Sequence, residues 1–292
     1  MSLFTGSCVA MVTPFNEVGI NLESLGRSVE FQIEQGTDAL LACGTTGEPA
    51  TMTKEEKATV IRYTIEKAAK RVPVLAGVGG NHTAEVVRAS IEAEELGADG
   101  LLAVTPYYNK TNARGLIAHF REISDAVHIP VIIYNVPSRT GLNVTPAGLK
   151  ELSGLKNVTG IKEASGDIVQ VLEMARVCGE SVDLYAGNDN IVVPLMAAGG
   201  KGVVSVVANV APRNTHEMVA RYLEGDREGS LELQIRLLPL IDALFCEVNP
   251  IPVKTAMNLM GFDMGPLRLP LADMAESNLK RLKQSMREYG LI

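Results

Sequence analysis

Val158-Thr159-Gly160-Ile161-Lys162-Glu163-Ala164-Ser165-Gly166 reads as a short β-strand that ends on a lysine and opens into a turn of small residues. A lysine in that setting has one special use. In dry surroundings an ammonium is destabilised, and the neutral amine can attack a carbonyl to form a Schiff base. The same stretch also fits a solvated lysine at the end of an ordinary strand, so its meaning depends on the rest of the chain.

Outward from this stretch the pattern is strand, turn, helix, repeated. Strands are predicted over 7–13, 39–43, 74–78, 100–104, 131–134, 158–162, 182–186 and 202–207. Leu22, Leu25, Val29 and Ile33 recur at helical spacing, and Gly36 closes that helix. Thr53 followed by Glu56 is a capping box, and Thr145-Pro146 opens a later helix. Strands that are continuous apolar runs, alternating with helices, form a parallel sheet covered on both faces. Eight such units in roughly 225 residues match a (β/α)8 TIM barrel. A doubly wound open sheet is the other arrangement, and it usually uses fewer units. After Gly225-Asp226 the alternation stops, and helices are predicted over 231–245, 251–260 and 274–289. The expected organisation is a catalytic barrel over 1–225 and a C-terminal helical appendage over 226–292.

The chain has 292 residues, 46% apolar content and a net charge of −7. With no basic block, nucleic acid is not the expected partner. Cys8, Cys43, Cys178 and Cys246 lie far apart without a C-x-x-C pair, which suits reduced thiols in a cytoplasm. The first residues lack the basic and apolar regions of a signal peptide, and no apolar run is long enough to span a bilayer.

In a barrel the active site lies at the C-terminal ends of the strands. Gly44-Thr45-Thr46-Gly47 follows strand two, Tyr107-Tyr108 follows strand four, Tyr134 ends strand five, Lys162 ends strand six and Gly187 follows strand seven. Tyrosine, threonine and glycine thus gather on the rim that carries Lys162. A hydrogen-bonded tyrosine hydroxyl can move the protons that Schiff-base formation requires, and Thr45 can supply that bond. Each tyrosine alone also fits an amphipathic wall residue, and Thr45 a cap. The turn 44–47 can offer backbone N–H groups to a carboxylate, and Arg139 can grip a second one, although either is equally a plain turn or a solvated loop residue. Gly199-Gly200 precedes strand eight and reads as a turn at the opposite rim.

Competing signals fail. Gly77-Val78-Gly79-Gly80 misplaces the third glycine of a dinucleotide loop, and Asp99 begins a strand where a ribose-binding acid ends one. His82, His119, His128 and His216 form no metal-binding pair, so no zinc site is expected. Cys43 reads as a small buried strand residue more than as a nucleophile.

With these residues in view the chain resembles the dihydrodipicolinate synthase family, within the pyruvate-dependent class I aldolases that also include N-acetylneuraminate lyase. The resemblance spans essentially the whole chain. It rests on Gly44-Thr45-Thr46-Gly47-Glu48, Val104-Thr105-Pro106-Tyr107-Tyr108-Asn109, Tyr134-Asn135-Val136-Pro137-Ser138-Arg139-Thr140-Gly141, Gly160-Ile161-Lys162-Glu163-Ala164 and Asn249-Pro250-Ile251-Pro252-Val253-Lys254. It implies that Lys162 forms a Schiff base with pyruvate and that Tyr134, Thr45 and Tyr108 relay protons, Tyr108 from a neighbouring subunit. It further implies that Thr46 holds the pyruvate carboxylate, that Gly187 and Val204 line the pocket, and that Arg139 binds the carboxylate of L-aspartate 4-semialdehyde. The implied product is 4-hydroxy-tetrahydrodipicolinate, for lysine and diaminopimelate synthesis. The implied assembly is a homotetramer, a dimer of dimers, with no metal or organic cofactor.

The Tyr107-Tyr108 pair and Arg139 favour the synthase over a pyruvate lyase acting on a sugar acid. A non-catalytic barrel that senses a small ligand is the third reading, and it would not need both an amine and a relay. Lysine-inhibited members place their effector near the positions of Pro49, Ala50, Lys54, Lys57, Asn81, Glu85 and Tyr107. Lys57 departs from that pattern, and its positive charge faces the ammonium of the effector. Weak or absent feedback inhibition is expected.

Overall fold

The computed structural model describes residues 2–292. Eight parallel strands close into a barrel: β1 (Gly6–Ala10), β2 (Ala39–Ala42), β3 (Val74–Gly77), β4 (Gly100–Val104), β5 (Val131–Asn135), β6 (Val158–Glu163), β7 (Asp183–Ala186) and β8 (Gly202–Ser205). Each strand pairs with its neighbours in chain order, and β1 pairs with β8 to close the ring, with Cys8 opposite Val204. Almost every strand residue is buried, as both-face coverage requires. The barrel interior holds Cys8, Leu41, Leu75, Leu102, Ile132, Tyr134, Tyr185 and Val204. Phe4 stacks on Tyr185 at 4.3 Å, and the Tyr185 hydroxyl donates to the Phe4 carbonyl at 2.7 Å.

Eight helices cover the strands: α1 (Leu22–Glu34), α2 (Lys54–Ala68), α3 (Thr83–Glu95), α4 (Ala113–Ala126), α5 (Pro146–Leu152), α6 (Ile168–Cys178), α7 (Val192–Ala197) and α8 (Pro212–Glu224). The Thr53–Glu56 capping box forms, and the Thr145 side chain accepts from the Gly148 N–H. Three helices follow: α9 (Arg227–Leu244), α10 (Ile251–Leu259) and α11 (Glu276–Tyr289). The helix α9 starts four residues before the predicted 231, because the Asp226 side chain accepts from the Gly229 N–H and caps it there. It then runs through Pro239.

Two strands end two or more residues earlier than expected, for a reason visible at the rim. Beyond β1 the Val12 N–H turns to the Asn209 side chain at 3.1 Å. Beyond β8 the N–H groups of Val206 and Val207 turn to Asp189 Oδ2 at 3.0 and 2.9 Å. A small hairpin, Phe15–Asn16 with Gly19–Ile20, and a one-turn helix, Pro137–Thr140, were not expected. They are too short for either hydrophobic period to register.

The pairing of β5 with β6 contains an irregularity. Val131 faces Val158 and Ile132 faces Gly160, so Thr159 is an extra residue. Below it Val158 packs outward, in the same layer as Ile161. Above it Gly160 looks inward at the Tyr185 ring, and two residues further Lys162 pairs with Tyr134.

Candidate active site

Lys162 is 5% exposed, and its Nζ sits 4.3 Å from the centroid of the Tyr134 ring. The ring's negative face is a favourable seat for an ammonium. The next residue, Glu163, points the other way, between β5 and α6. Its carboxylate takes the Asn135 side chain at 2.7 Å and the Ser165 N–H at 2.7 Å, and burial raises its pKa. Strand alternation therefore separates the amine from the adjacent acid.

After β2 the chain turns sharply at Cys43, which takes a φ of 57°. Thr45–Gly47 forms a single 3-10 turn, and Glu48 leaves it with φ 56°. Gly77 and Gly79, read from the sequence as a failed dinucleotide loop, have a packing role here. A Cβ on Gly77 would lie 2.2 Å from the Cys43 carbonyl oxygen, and one on Gly79 would lie 2.1 Å from the Val104 nitrogen. Burial pushes the Cys43 thiol up to about 12, so it is a neutral core group. Cys8, buried in the barrel, is likewise pushed far up by burial, against the opposing pull of Lys162.

Lys162, Tyr134, Thr45, Thr46, Gly187 and Arg139 share one cavity of about 210 Å³. Arg139 also lines a second cavity of about 320 Å³, so it stands on the boundary between the two. Its Nη2 donates to the Asn249 carbonyl at 2.9 Å. Gly187 bonds the Glu163 carbonyl through its N–H at 2.7 Å.

Two of the expected site residues, Tyr108 and Val204, do not line this cavity. Tyr108 is 91% exposed and lines neither cavity of its own chain. Val204 is fully buried in the barrel interior, and the residue that lines the cavity is Val206, just beyond the end of β8. The expected effector residues also divide. Pro49, Ala50, Lys57 and Tyr107 line the second cavity, and the Asn81 side chain donates to the Tyr107 carbonyl at 3.2 Å. Lys54 instead pairs with Glu92, and Glu85 with Arg88. Among the described residues no group of three or more His, Cys, Asp or Glu is placed to hold a metal ion, and no helix is long and apolar enough to cross a membrane.

Sequence reasoning missed two rim residues. Asp189 is buried, its Oδ2 taking two N–H groups beyond β8 and its Oδ1 having no partner. Asn249 lines both cavities from the C-terminal helices. Asking which residues follow a strand leaves Asn249 out, since no strand precedes it.

A closed (β/α)8 barrel with a buried lysine inside its C-terminal mouth is the architecture of a class I aldolase. The chain belongs to the Dihydrodipicolinate synthetase family, whose sequence profile matches residues 3–289. The 4-hydroxy-tetrahydrodipicolinate synthase of Caldicellulosiruptor bescii is 58% identical over 292 residues, covering 100% of this chain and 99% of that protein. The dihydrodipicolinate synthase of Thermotoga maritima superposes with a TM-score of 0.98 at 42% identity, covering 100% of both chains. The chloride-inhibited enzyme of Acinetobacter baumannii, complexed with pyruvate, gives a TM-score of 0.97 at 40% identity over 99% of each chain.

Proposed function

We propose that this chain is a 4-hydroxy-tetrahydrodipicolinate synthase, condensing pyruvate with L-aspartate 4-semialdehyde through a Schiff base on Lys162. The observation that carries this is the shared cavity, where a buried amine, a tyrosine and two threonines meet with Arg139 at the mouth. The Lys162 amine attacks the ketone carbon of pyruvate. Tyr134, with Thr45, delivers a proton to the departing hydroxyl, and water leaves. Loss of a methyl proton to the Tyr134 hydroxyl gives an enamine, whose carbon attacks the aldehyde of the second substrate; the amino group of that substrate then displaces the Lys162 amine from the imine carbon, closing the ring and freeing the lysine. Thr46 holds the pyruvate carboxylate, and Arg139 receives the carboxylate of the semialdehyde. Gly187 and Val206 supply the walls, and Val204 backs the floor from inside the barrel. Pyruvate, held covalently on Lys162, serves as its own activated form, and no separate cofactor enters the scheme.

Borohydride reduction in the presence of pyruvate should leave a modified peptide carrying Lys162. An unmodified Lys162 after reduction sinks the mechanism. Arg139→Ala should lower kcat/KM for the semialdehyde by two orders of magnitude or so while the pyruvate adduct still forms. Equal loss of both would remove Arg139 from the second-substrate role.

Tyr108 completes the proton relay of a neighbouring subunit, in a dimer that pairs again to a tetramer. For L-lysine, the second cavity offers Tyr107, whose carbonyl the Asn81 side chain holds, but also the Lys57 ammonium, which opposes a cationic effector. Weak or absent inhibition follows, and tight inhibition of the purified enzyme by L-lysine would contradict it.

A further inference from the structure

The segment Asn249-Pro250-Ile251-Pro252-Val253-Lys254 has no part in the chemistry above, yet it touches the site at three points. The Asn249 side-chain amide donates to Thr46 Oγ1 at 3.1 Å. The Asn249 carbonyl accepts from Arg139. One turn into α10, the Lys254 ammonium reaches Glu48 Oε1 at 2.7 Å, with the two side chains 1% and 0% exposed. The other Glu48 oxygen takes the Arg268 N–H at 3.1 Å, and Lys254 lies 4.0 Å over the Phe15 ring. Glu48 is the residue that closes the 3-10 turn, its N–H bonding the Thr45 carbonyl at 3.2 Å.

The middle of the turn, at Thr46, and its C-terminal end, at Glu48, are therefore held from the C-terminal region. A fully buried ion pair is a poor device for stability alone, because desolvation of the two charges offsets their attraction. What such a pair does well is enforce one geometry, since every displaced arrangement leaves a buried charge unpaired. Thr45–Gly47 is only three residues long and has no side-chain cap of its own. It needs anchors from elsewhere to keep two hydroxyls in place.

We propose that Asn249 and Lys254 are positioning residues: they fix the Thr45-Thr46 turn for the pyruvate carboxylate, and through its carbonyl Asn249 also seats Arg139. This assignment rests on the Schiff-base reading of Lys162. The C-terminal helices are thus part of the substrate-binding apparatus.

The test is the pyruvate dependence of borohydride-trapped Lys162, read beside kcat and the KM for the semialdehyde. Asn249→Ala removes the bond to Thr46 but keeps the carbonyl that holds Arg139. It should raise the half-saturating pyruvate concentration about tenfold, with the semialdehyde KM changed less than about twofold. Asn249→Ala should add little in the Thr46→Val background, because Thr46→Val already deletes the hydroxyl through which Asn249 acts. Glu48→Gln with Lys254→Met removes both charges at similar volume. It should fold with an unchanged or higher Tm and still require several-fold more pyruvate. An Asn249→Ala protein with the wild-type pyruvate dependence overturns the role of Asn249, as does strict additivity with Thr46→Val. Wild-type pyruvate dependence in the charge-free pair overturns the role of Lys254. Absence of any adduct in the wild-type enzyme overturns the Schiff-base reading and this inference with it. An adduct with unaltered dependence in the variants overturns this inference alone.

Discussion

Gly187 shows how little space the lysine has. A methyl group there would meet the Ala164 Cβ at 2.6 Å, the Glu163 carbonyl at 3.0 Å and the Lys162 Cγ at 3.1 Å. All three contacts lie along the end of β6, so relief requires that strand end or the loop after β7 to move. Gly187→Ala should lower the unfolding free energy by about 1–3 kcal/mol in urea titrations and slow trapping of pyruvate on Lys162. Unchanged values for both would mean that the loop after β7 yields freely. At this scale the sequence was informative about chemistry and silent about contact. Lys162, Tyr134 and Thr45 could be read because amine, phenol and hydroxyl gathered at strand ends. Val204 was displaced to Val206 because the last turn of a strand end decides which of two nearby valines faces the chamber. Nothing local in Val-Val-Ser-Val-Val distinguishes them.

The packing of α3 on α4 contains a titratable device. His119 on α4 is buried, its Nδ1 lies 2.9 Å from the Thr83 hydroxyl at the start of α3, and its Nε2 has no partner. Burial holds this imidazole below its ordinary pKa. A folded-state pKa below the unfolded value of about 6.5 gives a contribution that is fully present above that pH. It is lost as pH falls through the folded pKa, where the unfolded chain binds the extra proton. Urea midpoints should therefore drop between pH 7.5 and 5.5 in the wild type, and drop less in His119→Gln. Parallel declines in both proteins would exclude His119 as the cause. Elements as such were legible wherever a period of 3.6 or an apolar run lasted long enough and a cap marked the end. Thr53, Thr145 and Gly225 are such marks. The strands ended early where a side chain from a distant loop, Asn209 or Asp189, took over a backbone N–H, and such captures carry no local signal.

At the scale of the whole molecule, the proposed site draws on a second chain. Tyr108 stands 91% exposed with a φ of 68°, away from both cavities. In the proposed pairing of chains each site borrows this hydroxyl. Lys162→Ala and Tyr108→Phe proteins, each impaired alone, should regain activity when unfolded and refolded together. In the mixed dimer one of the two sites then carries an intact lysine and an intact tyrosine. No recovery, with mixed dimers demonstrated by mass, would rule the borrowed hydroxyl out. The barrel was readable because eight repeats over one chain leave few alternatives. The bond from Asn249 to Thr46 was not, because it joins residues 203 positions apart and neither residue type announces the other.

Thr159 lies well below the mouth of the barrel, yet it decides what the mouth contains. It works like one tooth added to a gear: everything above it on β6 is out of phase with everything below. Val158 can serve the helix layer while Lys162, four residues on, serves the chamber only because Thr159 stands outside the alternation. Were Thr159 drawn into regular alternation above Val158, the lysine would swing into the helix layer and the Glu163 carboxylate would take its place inside. The sign of charge in the chamber would reverse without any residue at the rim being altered. The amine's address is thus written by a bulge in the strand, beneath the reaction it performs.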